Sequence, residues 1–142
     1  MQDEATLPPR RADWRDRLVA YIAAARLKPF RPGQHDCALF VAGAVEVMTG
    51  HDFGRGWRGK YRSLEAGQKL AEAQGYADHT AIFAALCPDV APSFAQVGDI
   101  MVMPGPDGTD ALGVLQGEVV FCLHPGGIVA VSRLDAKRAL RV

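Results

Sequence analysis

The chain has little that would send it to a charged partner or into a bilayer. Sixteen lysines and arginines cancel sixteen aspartates and glutamates over 142 residues. That balance gives no basic footprint for nucleic acid or for an anionic membrane. No apolar run approaches the ~20 residues that a spanning helix requires, so no membrane insertion is expected. The opening residues Met1-Gln2-Asp3-Glu4 are acidic and lack the apolar stretch of a signal peptide, so synthesis in a cytoplasm without an export signal is expected. There are three cysteines, Cys37, Cys87 and Cys122. An odd count with no C-x-x-C pair argues against a disulfide framework and against a zinc knuckle. His35, Cys37, Cys122 and His124 form only two i, i+2 pairs, which is not a zinc spacing, so neither a metal nor another cofactor is expected. The chain shows no internal repeat, linker or low-complexity stretch.

What is present is an ordinary globular composition, with 49% hydrophobic and 23% charged residues, enough for one domain with a modest core. Residues 1–12, interrupted by Pro8 and Pro9, read as a flexible arm, and 13–142 as a single domain. The arginines Arg10, Arg11, Arg15 and Arg17, interleaved with Asp13 and Asp16, read as a solvated face. Asp13 is a candidate N-cap for a helix carrying Trp14, Leu18, Tyr21, Ile22 and Ala25 at helical spacing. Two prolines and Gly33 end that helix. A second helix is expected over residues 36–48, apolar almost all round and so buried and central. Ser63 caps a third helix that stops at Gly75, and a short fourth runs from about Thr80 to Leu86 before Pro88.

From Val97 the pattern changes to short β-type runs divided by turn residues: 100–103, 111–115, 118–123, 128–132 and 138–142. Helices first and a meander second predict an α+β domain with the helices on one side of an antiparallel sheet.

The chain is organised around His35-Asp36-Cys37-Ala38-Leu39-Phe40-Val41, where a polar loop runs into the central helix. A thiol in the first turn of a helix lies near the positive end of its dipole, which favours the nucleophilic thiolate. Asp36 is the natural N-cap of that helix. His35 is a candidate binding residue beside the thiol, or else a solvent-facing loop histidine. Trp57 and Tyr61, in the loop Trp57-Arg58-Gly59-Lys60-Tyr61-Arg62, either bind a glycan or a protein, or fold back over the central helix.

Three segments carry a family resemblance. Asp36-Cys37-Ala38-Leu39-Phe40-Val41 resembles the Asp-Cys-Ser-Gly-Phe-Val helix start of the NlpC-type cysteine peptidases. Val97-Gly98-Asp99-Ile100-Met101-Val102-Met103 resembles their Pro-Gly-Asp-Leu-Val-Phe-Phe strand. Ala111-Leu112-Gly113-Val114-Leu115 resembles their His-Val-Gly-Ile-Tyr strand. The resemblance implies the papain-like NlpC fold, Cys37 as nucleophile and peptidoglycan stem peptides as substrate. Where that family places its base histidine this chain has Ala111, which cannot carry a proton. His124, near the place of the family's orienting residue, is the remaining candidate base. The segment from Gly59 to Gly75 and the ending Arg138–Val142 resemble a divergent branch encoded among phage and prophage tail genes. That likeness implies a structural tail-tip or tail-assembly component carried in the virion, with other tail proteins as partners. The alternative is an active peptidoglycan peptide hydrolase that uses Cys37 for cell-wall penetration.

Overall fold

The computed structural model describes residues 6–142. Four helices come first: α1 (Trp14–Ala25), α2 (Cys37–Thr49), α3 (Leu64–Ala73) and α4 (His79–Ala84). The strands follow: β1 (Asp89–Val90), β2 (Ile100–Pro104), β3 (Asp110–Gln116), β4 (Val119–His124), β5 (Gly127–Ser132) and β6 (Arg138–Leu140). They form one sheet in the order β1-β6-β2-β3-β4-β5, antiparallel at each pairing. This is the α+β arrangement that the sequence pattern predicts. The two residues of β1 were not anticipated, because so short a strand has no periodicity to read.

Helix α2 is the centre of the molecule. The Asp36 side chain accepts from the Leu39 N–H at its start, and Gly50 in the left-handed region ends it. Phe40, Val41, Ala44, Val45 and Met48 are fully buried, between α1 on one side and the sheet on the other. Tyr21 of α1 donates to the Phe40 carbonyl at 2.6 Å. That approach is possible because α2 carries Gly43 there: a Cβ would fall 2.2 Å from the Tyr21 hydroxyl oxygen. Alternate residues of the sheet feed two clusters. Ile100, Val102, Leu112, Val114 and Leu123 face the helices, and Met101, Met103, Ala111, Leu115, Val120 and Cys122 fill the far face.

Asp13 holds the N-cap position of α1 as expected, but its side chain makes no capping bond and pairs with Arg17 one turn on, at 2.7 Å. One local expectation is corrected. Arg10 is not part of a solvated face. Its guanidinium reaches the fully buried carboxylate of Asp99, just before β2, and also bonds the carbonyls of Val97 and Val142. Asp99 further accepts from Arg141, from the Val142 N–H and from the Gln96 N–H. One carboxylate thus ties the start and the end of the domain to the sheet. Of the expected arm, residues 1–5 lie outside the described residues, and Arg10 anchors the remainder.

Candidate functional site

Strands β3 and β4 fork. Their pairing runs from Gln116↔Val119 to Val114↔Phe121 and stops, while β4 continues to His124 paired with β5 alone. Peptide groups alternate sides along a strand. Leu115 donates to the Asp99 carbonyl, on the β2 side, so the groups of Asp110, Leu112 and Val114 point toward β4. At Val114 they meet Phe121. Beyond the fork they meet side chains. Cys37 Sγ accepts from the Leu112 N–H at 3.2 Å and donates to the Leu112 carbonyl at 3.3 Å. His79 Nε2 lies 2.9 Å from the Asp110 carbonyl oxygen. A carbonyl only accepts, so Nε2 carries the proton and Nδ1 is left as the acceptor. The sulfur and the imidazole therefore replace strand β4 along this part of β3.

A cleft of about 850 Å³ opens in the fork. Its walls include Cys37 of α2, Trp57 and Tyr61 of the loop before α3, His79 of α4, and Asp110, Ala111 and His124 of the two prongs.

The electrostatics around the thiol run against the expectation of an activated nucleophile. Burial pushes the Cys37 thiol up to about 11, the Leu112 N–H opposes that rise, and the neighbouring Asp36 charge adds to it. Part of the Cys37 residue surface still borders the cleft, but the sulfur is packed against main chain. The helix dipole does not rescue the thiolate, because its positive end already holds the Asp36 carboxylate. That group is 2% exposed and accepts from Gly33 N–H at 2.8 Å, Leu39 N–H at 3.0 Å and the Tyr61 hydroxyl at 2.6 Å. Burial, followed by the bond to Asp36, keeps the Tyr61 phenol protonated far above its ordinary range.

The site residues expected from sequence separate accordingly. Cys37, Trp57, Tyr61 and His124 line one cleft. Tyr61 borders the cleft and packs back on the start of α2 through Asp36, as its fold-back reading has it. His35 is not a cleft residue. Its Nε2 turns to the Ala25 carbonyl at the end of α1, at 3.2 Å, and its ring meets Phe40 edge-on. By strand alternation His124 shares the far face with Cys122 and Ala111, and among the described residues Cys37 bonds to Leu112 and to no imidazole. No group of three or more potential metal ligands occurs among the described residues.

Sequence reasoning missed His79 and Asp110. His79 opens α4 one residue earlier than its apolar pattern suggested, with Asp78 as the cap. Asp110 also lines the cleft, where its carboxylate is held by Lys137. An aspartate ahead of an apolar run is a common N-cap, but nothing local ties His79 to β3, since that contact spans 31 residues.

Residues 9–142 match the family described as a domain of unknown function, DUF6950, and the chain belongs to that family. No curated protein matches it. Seven chains of solved structures do. Among them is the crystal structure of the NlpC/p60 domain of the peptidoglycan hydrolase SagA, with a TM-score of 0.56 and 20% identity over 89% of this chain and 97% of that one. At that identity the likeness is one of fold: this chain has the papain-like NlpC/p60 fold.

Proposed function

We propose that this DUF6950 member is a structural component of a phage or prophage tail, at the tip or in its assembly, built on a peptidase frame whose thiol has become part of the scaffold. The observation that carries the loss of catalysis is the pair of hydrogen bonds between Cys37 and Leu112. A nucleophilic thiol gives its proton to a base within hydrogen-bond reach. Here the proton goes to a main-chain carbonyl, and the neighbouring residue, where the resembling peptidases carry their base, is Ala111. The tail assignment is supported by the resemblance of residues 59–75 and 138–142 to the tail-encoded branch. On this reading the cleft holds a segment of another tail protein, and the protein travels in the virion tail. Particles carrying Cys37→Ser are the test. Normal assembly and normal infectivity are expected, whereas assembled particles that fail to penetrate cells would overturn the reading.

A second reading, hydrolysis of peptidoglycan stem peptides by Cys37, is favoured by one observation: His79 and His124 border the same cleft as the thiol. It predicts cleavage of muropeptides by the purified protein and its abolition in Cys37→Ala. Intact muropeptides after prolonged incubation with the folded protein would exclude it.

A further inference from the structure

Strand β5 is the long edge of the sheet, paired on one side only. The alternation that sets the fork also sets its outer side. Phe121 and Leu123 direct their peptide groups toward β3, so Val120, Cys122 and His124 direct theirs to Val131, Val129 and Gly127. The N–H and C=O groups of Ile128, Ala130 and Ser132 therefore point outward. Natural edges are blunted by charge, proline or a bulge. Gly127-Ile128-Val129-Ala130-Val131-Ser132 has no charged residue and no proline, and its register with β4 is continuous.

We propose that β5 is a self-association edge, at which two copies pair antiparallel about a two-fold axis beside Ala130 and join their sheets into one. A two-fold interface must be complementary to itself, and this strand is. With Ala130 opposite its own copy, Ile128 bonds to Ser132 through the outward groups. Val129, which is 40% exposed, comes beside Val131 of the other copy, a β-branched cross-strand pair. Each Gly127 comes to the Ser132 end of the other copy, where the chain leaves the strand for the 3-10 turn Arg133–Asp135. Space is open there: a Cβ on Gly126 or Gly127 would meet nothing within 4 Å. No like charges oppose one another within the strand, and the chain's zero net charge removes long-range repulsion between copies. The inference is independent of the role proposed for the cleft.

The test is sedimentation velocity of the full chain over a dilution series, alongside Ala130→Lys, which places two ammonium groups face to face at the axis. The expected result is a species of twice the chain mass that dissociates on dilution, and its loss in Ala130→Lys. A chain that stays single at the highest concentration, or a dimer that survives the substitution, overturns the proposal. Hydrogen exchange on the unsubstituted protein checks it without any variant. The amides of Ile128, Ala130 and Ser132 should slow as concentration rises, while that of Val129, already bonded to β4, should not change. Outward amides that exchange equally fast at every concentration overturn it.

Discussion

The sulfur of Cys37 both accepts from and donates to the main chain of Leu112, at 3.2 and 3.3 Å. A side chain at the start of a helix thereby does for β3 what a strand would otherwise do. Without it, two buried main-chain groups would lose their partner where the sheet divides around the cleft.

Cys37→Ala should therefore destabilise the fold by about 1–3 kcal/mol, the usual cost of leaving a buried polar group unsatisfied. Cys37→Ser keeps one donor and an acceptor and should recover most of that loss. Urea denaturation of the two variants measures the difference. Equal stability of both would mean that the sulfur contacts contribute nothing.

Tyr61→Phe removes the hydroxyl that donates to buried Asp36 at 2.6 Å. A hydrogen bond to a charged acceptor contributes about 1.5–3 kcal/mol, and a loss in that range is expected. The same change should loosen the loop before α3, because Tyr61 also packs beside Gly67 of that helix. Faster amide exchange across residues 54–62 is the corresponding readout.

Asp99→Ala removes the acceptor shared by Arg10, Arg141 and Val142. A loss of about 3 kcal/mol is expected, the low end for breaking a buried ion pair, since both guanidinium groups retain some contact with water. Exchange should accelerate at both ends of the domain together, as a single carboxylate ties them. Destabilisation confined to one end would contradict the clamp.

His35 gives a signed pH dependence. Burial holds its imidazole below the ordinary value, and the contact with the Ala25 carbonyl pulls the other way. The folded state prefers the neutral ring, so the stabilising contribution is complete above the ordinary histidine pKa of about 6.5. It is lost as the pH falls through that value toward the depressed one. His35→Gln should flatten stability over that interval in thermal melts taken from neutral to mildly acidic pH.

Much of this was legible in the sequence, for identifiable reasons. The apolar circumference of residues 37–49, the caps Asp36 and Ser63, and turn residues such as Gln116-Gly117 fix α2, α3 and the meander through local chemistry. Cys37 and Tyr61 were found because each lies in a distinctive local stretch. What failed is non-local. Arg10 looked like a surface charge because Asp99 is 89 residues away. His35 looked like a neighbour of the thiol because adjacency in sequence does not fix which way a loop side chain turns. The thiol itself looked activated because the dipole argument left out the charge of Asp36 at the same helix end, and because nothing local shows that Leu112, 75 residues away, encloses the sulfur.

Whether Cys37 is a scaffold thiol is decided by its rate of alkylation against pH, resolved from Cys87 and Cys122 by peptide mass mapping. Slow labelling at neutral pH and an inflection near 11, where burial has pushed the thiol, are expected. An inflection at or below about 8, the range of activated cysteines, would contradict the scaffold role and restore Cys37 as a nucleophile.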